Sequence, residues 1–211
     1  MGYTHYYYMP KEVVDGHWKA TSGMGKSMQI SKRGNKDATD KEERDSIWSY
    51  FVNDTIDSFL KCYENYHKVF KHSRAKIEII ELERDHSPAP DGKWVDAWNR
   101  NYAYIHFNGV GDLAHESFTF PPKQNGYEKD EDKYYFEFTK TAYKPYDQCV
   151  TAFLLIAKYF LQDDIILKSD GNIEDLIKGG SMATFYDPRV YDYPKTLVDV
   201  LQPDFNTEVE Q

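Results

Sequence analysis

The segment from Pro145 to Gln162 constrains the fold most. Val150, Phe153, Leu154, Leu155, Ile156 and Phe160 cover more than one face of a helix drawn through it, and a helix that is apolar on several faces has to be surrounded. It therefore belongs in the core centre, lying across a sheet. It does not belong in a bilayer, because the longest apolar run, Cys149 to Ala157, is far short of the ~20 residues a membrane span needs. The sheet that this helix covers starts early. Tyr3 to Met9 is aromatic-rich and is stopped by Pro10, which reads as a strand paired inside the sheet. Pro10 to Ala20 follows as a short helix with Val13, Val14 and Trp18 at helical spacing.

A second helix is predicted from Asp40 to Lys71. Thr39 and Glu42 form a capping-box pattern, and Ile47, Phe51, Thr55, Ile56, Phe59, Leu60 and Tyr63 recur every three to four residues. The stretch before it, residues 21 to 40, is polar and reads as a loop. Ile77, Ile79 and Leu82 alternate with charged residues as a half-buried strand, and 85 to 100 reads as a loop. Strands are then expected over 102–107 and 117–120 around an Asn108-Gly109 turn, and over 134–139, as a meander. A last strand at 164–168, a turn at Ser169-Asp170-Gly171 and a short helix over 172–178 closed by Gly179-Gly180 complete the pattern. The class is α+β: a mainly antiparallel central sheet packed by a long amphipathic helix and an apolar core helix. At 211 residues one domain is expected, with a helical and loop insertion at about 21–75 and a frayed tail after about 203. No repeat is visible.

A net charge of −9 and a pI near 5.3 exclude a chain that wraps long DNA or RNA, for which phosphate neutralisation dominates affinity. A small anionic ligand in a local basic pocket remains compatible, and self-association is left open. The two cysteines, Cys62 and Cys149, fall in apolar helical segments and read as buried free thiols in a reducing compartment. No secretion signal is visible, and Tyr6 stands where a myristoylation motif wants Ser or Thr. Aromatic residues reach 16 %, with 18 tyrosines; they suit an ordinary core as well as ligand pockets and interfaces.

Residues 20–27, Ala-Thr-Ser-Gly-Met-Gly-Lys-Ser, match a relaxed phosphate-loop pattern but lack the strand before and the helix after that bring backbone amides to phosphate. His115-Glu116 has no second histidine at zinc-protease spacing. The seven histidines, at 5, 17, 67, 72, 86, 106 and 115, are scattered, so no metal site and no cofactor are expected. What remains is a constellation at strand ends and turns: Tyr3-Thr4-His5, His106 with Asn108, His115-Glu116, the segment from Lys140 to Asp147, and Asp170. Lys140, Lys144 and a helix start near Asp147 would present positive charge to an anion. The alternative is that Asp147 caps its helix while the lysines face solvent.

These segments stand in a particular order: MGYTHYYY, Phe107-Asn108-Gly109, His115-Glu116-Ser117-Phe118, Lys140-Thr141-Ala142 with Lys144-Pro145-Tyr146-Asp147, and Ser169-Asp170-Gly171. In that order the chain resembles a family of uncharacterised phage and large-virus proteins that begin MGYTHYW. The resemblance covers residues 1–20 and about 103–178. Two positions depart from the pattern. Tyr8 ends an aromatic run where the family has a Trp soon after the His, and Tyr143 stands where an Arg is expected, exchanging a bidentate clamp for a stacking surface.

The resemblance implies a viral origin and a shared polar site. Joined to the tyrosines, histidines and lysines, it gives the expectation of a counter-defence protein in the cytoplasm of an infected host cell. That protein would bind a small nucleotide-derived immune signal such as a cyclic oligonucleotide or ADP-ribose derivative, as a sponge if it only binds and as a metal-independent phosphodiesterase if it also cleaves. For cleavage the candidates are His5 or His115 as acid or base and Lys140 as the stabiliser of phosphoryl charge. For binding they are Tyr3, Thr4, His106, Asn108, Glu116, Tyr143, Lys144, Tyr146, Asp147 and Asp170. The competing class is an inhibitor that contacts a host protein and has no small-molecule site.

Overall fold

The alternation expected of an aromatic opening strand is realised in β1, Thr4–Pro10, whose residues point by turns to opposite faces of a sheet. The computed structural model describes residues 3–22, 41–71, 82–84, 104–122, 127–129 and 133–183. Strand β1 lies inside a four-stranded antiparallel sheet with β5 (Tyr127–Lys129), β6 (Tyr134–Lys140) and β7 (Ile166–Ser169), in the order β5-β6-β1-β7. The register pairs His5 with Thr139 and Ser169, and Tyr7 with Glu137 and Leu167. One face therefore carries His5, Tyr7 and Met9, all buried. The other carries Tyr6, opposite Phe138 and Lys168.

Helix α3, Asp147–Leu161, supplies the core on the His5 side, with every residue from Cys149 to Ala157 buried. A smaller antiparallel sheet, β2 (Leu82–Arg84), β3 (Ile105–Gly109) and β4 (Phe118–Phe120) in that order, closes over it. Phe153 of α3 meets Phe118 at 5.0 Å and Phe120 at 4.8 Å between ring centroids, and Phe59 at 5.2 Å. Phe59 belongs to α2, Lys41–Lys71, which buries the stripe Val52, Ile56, Phe59, Leu60 and Tyr66 at helical spacing. Helix α1, Lys11–Ser22, buries Val13 and Val14. The Tyr7 hydroxyl donates to the Thr119 carbonyl and so ties the two sheets together.

The chain thus runs β1-α1, then α2 and the second sheet, then β5-β6-α3-β7. Without the intervening part, this is a β-α-β-β-α-β arrangement with its first strand and its third side by side in the centre. The α+β class, with antiparallel sheets, is as expected. Four details differ from expectation. The strands divide into two sheets and do not form one meander. Asn108 and Gly109 lie in β3 and not in a two-residue turn, because the Asn108 carboxamide organises a wider loop. Strand β5, Tyr127–Lys129, falls between the strands expected over 117–120 and 134–139, where no strand is expected. Helix α4, Ile173–Ala183, runs through Gly179-Gly180 and does not stop there.

The last difference has a packing cause. Helix α4 crosses α3 so closely at Gly179 that a methyl group there would collide with the Thr151 side chain, so glycine serves as a close-approach residue and not as a helix stop. Replacing Gly179 with alanine is expected to cost about 1–3 kcal/mol through overpacking, measured as a lowered urea midpoint; an unchanged midpoint would mean that α4 moves away freely.

Of the loop expected at 21–40, the first two residues belong to α1; the rest of it with most of the phosphate-loop pattern, the helix start at Thr39, the expected strand short of Leu82 and the tail lie outside the described residues. No helix among the described residues is long and apolar enough to cross a membrane.

Candidate functional site

Strand alternation places the His5 ring on the helix-facing side of β1, under the first turn of α3. It is 2 % exposed, and its Nε2 donates to Asp147 Oδ1 at 2.7 Å, with the Asp147 side chain 14 % exposed. The Thr141 hydroxyl donates to the same carboxylate oxygen at 2.6 Å. Thr151 Oγ1 stands 3.5 Å from His5 Nε2. A buried imidazole and a nearly buried carboxylate thus satisfy each other, as groups drawn out of water must.

The loop between β6 and α3 is held in an uncommon conformation beside this pair. Ala142 and Tyr143 have φ of 49° and 58°, the left-handed region that L-residues with a side chain seldom occupy singly and rarely in succession. The amides of Thr141 and Ala142 both donate to the Tyr3 carbonyl, at 3.0 and 3.4 Å, and the Lys144 amide donates to the Thr141 carbonyl at 3.0 Å. The result is to hold the Tyr143 ring out: it is 66 % exposed. Its inner side stacks on Tyr3 with centroids 4.3 Å apart. Tyr3 is buried and sets its ring edge-on to His5 at 4.9 Å. Gly171 lies directly against the Tyr3 phenol, where a methyl group would collide with it. Burial, and after it the charges of Asp147 and Asp175, push the Tyr3 phenol above its ordinary pKa.

The other candidates are placed as follows. His115, Glu116 and Asn108 form a staple between the loop after β3 and the end of β6. The Asn108 side chain donates to the His115 carbonyl and accepts the His115 and Gly109 amides. The His115 ring Nδ1 lies 2.8 Å from the Lys140 carbonyl, and Glu116 Oε2 accepts the Lys140 amide at 2.9 Å. The Tyr146 hydroxyl donates to the Glu116 carbonyl at 2.6 Å, and burial raises its pKa.

Lys140 Nζ lies 3.9 Å from Glu116 and 5.6 Å from the Phe138 ring centroid. Lys144 Nζ donates to the Asp112 carbonyl at 2.8 Å. The amides of Asp147, Gln148 and Cys149 donate to the carbonyls of Lys144, Pro145 and Tyr146. The amides at the helix start are thus engaged with the chain itself and Lys144 spends one donor on it, while Lys140 is 48 % exposed beside Glu116. Asp147 neither caps its helix nor faces an anion; it belongs to His5 and Thr141.

His106 pairs with Thr119 at 2.6 Å within the second sheet. Thr4 is buried in β1 and its carbonyl accepts the Asp170 amide, while Asp170 Oδ2 accepts the Tyr6 hydroxyl at 3.2 Å. One group therefore gathers Tyr3, His5, Tyr143 and Asp147, and a neighbouring staple gathers Asn108, His115, Glu116, Lys140, Lys144 and Tyr146. Thr141, Thr151 and Gly171 complete the first group without having been assigned a role from sequence. Thr151 carried one visible signal, as the only polar residue in the run from Cys149 to Ala157. Among the described residues no three His, Cys, Asp or Glu side chains are placed to hold a metal ion.

Compared with protein-family models, curated proteins and solved structures, the chain matches none.

Proposed function

We propose that this chain binds a small nucleotide-type ligand by stacking its base on Tyr143, and that it acts as a viral counter-defence protein by withdrawing a host immune signal in the infected cell. One observation carries the ligand reading: two successive left-handed residues with side chains hold an aromatic ring 66 % exposed on a buried aromatic base. Uncommon backbone of this kind persists where surroundings over-determine it, and it gathers at ligand sites. An exposed ring backed by a second ring is a ready stacking surface for a nucleobase. The viral part rests on the resemblance of the opening octet and the Lys140–Asp147 segment.

The geometry disfavours cleavage through His5. A general acid or base must reach its substrate, whereas His5 is 2 % exposed and its Nε2 is committed to Asp147; His115 is exposed, with its Nδ1 2.8 Å from the Lys140 carbonyl, and is the histidine left for that role. A second reading, docking on a host protein, draws on Val110 and Leu113. They are 43 % and 45 % exposed and flank Asp112, which the Lys144 ammonium ties to the Tyr143 loop.

Mass spectrometry separates these readings. The purified chain is incubated with a panel of cyclic oligonucleotides and ADP-ribose derivatives, desalted, and analysed before and after heat denaturation. Intact ligand released only by heat is the expected result, and altered masses would make the chain an enzyme. Retention is expected to weaken about 5- to 150-fold in Tyr143→Ala, the equivalent of ~1–3 kcal/mol for one stacked base. No retention or conversion across the panel would sink the nucleotide reading in favour of a protein partner.

A further inference from the structure

His5 touches both arms of the loop that presents Tyr143. Along one arm its Nε2 donates to Asp147 Oδ1, the oxygen that also receives the Thr141 hydroxyl at 2.6 Å. Thr141 is the residue immediately before the left-handed pair Ala142 and Tyr143. Along the other arm the His5 ring meets Tyr3 at 4.9 Å, Tyr3 stacks on Tyr143 at 4.3 Å, and the Tyr3 carbonyl takes the Thr141 and Ala142 amides. The contacts close on themselves: His5, Asp147, Thr141, Tyr143, Tyr3 and back to His5.

We propose that His5 is the positioning residue of this site, acting through Asp147 and Thr141 on one side and through Tyr3 on the other to hold the Tyr143 ring outward. Its purpose, though not its existence, rests on the stacking role of Tyr143. The physical argument is one of over-determination. Adjacent left-handed residues revert to ordinary backbone unless several contacts oppose it together. Without the imidazole, the Asp147 carboxylate can turn toward water and leave Thr141 unpaired, while Tyr3 loses the ring that fixes its tilt. An imidazole is suited to the place because a single flat group offers a donor to a carboxylate and a ring for a T-shaped contact with an aromatic neighbour.

The test uses the full chain and needs no ligand. With tyrosine rings labelled by carbon-13, the Tyr143 signal is assigned by its disappearance in Tyr143→Phe, and amide hydrogen exchange reports opening at Thr141 and Ala142. In His5→Ala the Tyr143 signal is expected to move to the position of a freely solvated tyrosine. Exchange of the two amides is expected to rise by about tenfold or more beyond any change in the slowest core amides.

His5→Gln, whose side-chain amide can still donate to Asp147, is expected to restore the amide protection. An unmoved Tyr143 signal in His5→Ala, or loop exchange that rises only in step with the core amides, would overturn the proposal. If His5→Ala fails to fold, Thr141→Val interrupts the same arm from its other end, and an unchanged Tyr143 signal there overturns it equally. A chain that shows these shifts but retains none of the nucleotide panel loses the proposed function and keeps this inference.

Discussion

Phe153→Ala is expected to lower the unfolding free energy by about 3–5 kcal/mol, the range for truncating a buried phenylalanine. Phe153 has no exposed surface, and its ring meets Phe59 of α2, and Phe118 and Phe120 of β4, all within 5.2 Å between centroids. Three layers therefore meet on one side chain. None can settle into the space without withdrawing from another, so the cavity term adds to the lost transfer energy. A domain of this size is stable by about 5–15 kcal/mol in all, so the variant is expected to stand near the edge of folding. Urea unfolding followed by circular dichroism measures it. Phe153→Leu, which keeps much of the volume, is expected to recover more than half of the loss; equal losses in the two variants would mean that ring contacts and not volume hold the layers.

Alkaline pH is expected to unfold the chain steeply. Tyr3, Tyr7 and Tyr146 are buried, and in each the phenol is held above its ordinary pKa first by desolvation and then by nearby carboxylates: Asp147 and Asp175 for Tyr3, Glu137 for Tyr7, and Asp147 and Glu116 for Tyr146. A phenol whose folded pKa is raised contributes stability that is whole below the unfolded value of about 10 and is lost as pH climbs above it. Each such proton is worth ~1.4 kcal/mol per pH unit, so three make about 4 kcal/mol per unit.

Burial adds an earlier and gentler onset through the thiols, with Cys62 pushed up to about 12 and Cys149 also raised. Urea midpoints measured from pH 8 to 11.5 should be flat at first and then fall, with phenolate absorbance rising in step with unfolding. If the midpoint holds to pH 11.5 while every tyrosine ionises, these phenols are reached by solvent in the folded chain.

Much of this architecture was legible because it depends on local pattern. The aromatic run before Pro10, the recurrence of Thr55, Ile56, Phe59 and Leu60 in α2 and the all-round apolar surface of α3 each state their element and their burial directly. What was hidden depends on partners distant in the chain. Gly179 looks like a helix stop until Thr151 is found against it, and the Asn108-Gly109 pair looks like a hairpin turn until the Asn108 carboxamide is seen to reach His115. The site divides in the same way. His5, Tyr143 and Asp147 could be picked out as polar or aromatic residues in turns and strand ends. Spacing along the chain, however, could not say that Asp147 would face His5, or that the Lys144 ammonium would donate to the Asp112 carbonyl.

The central place of β1 has a consequence for how the chain comes into being. Thr4 pairs with Lys140 and Tyr8 with Ile166, so this aromatic strand has no sheet neighbour until some 130 positions later in the chain. At roughly 5–20 residues per second, the ribosome leaves that strand unmatched for about 6 to 26 seconds. Pairings this distant are also slow to close. During that interval its tyrosines and its unpaired strand edges are open to other nascent chains and to chaperones.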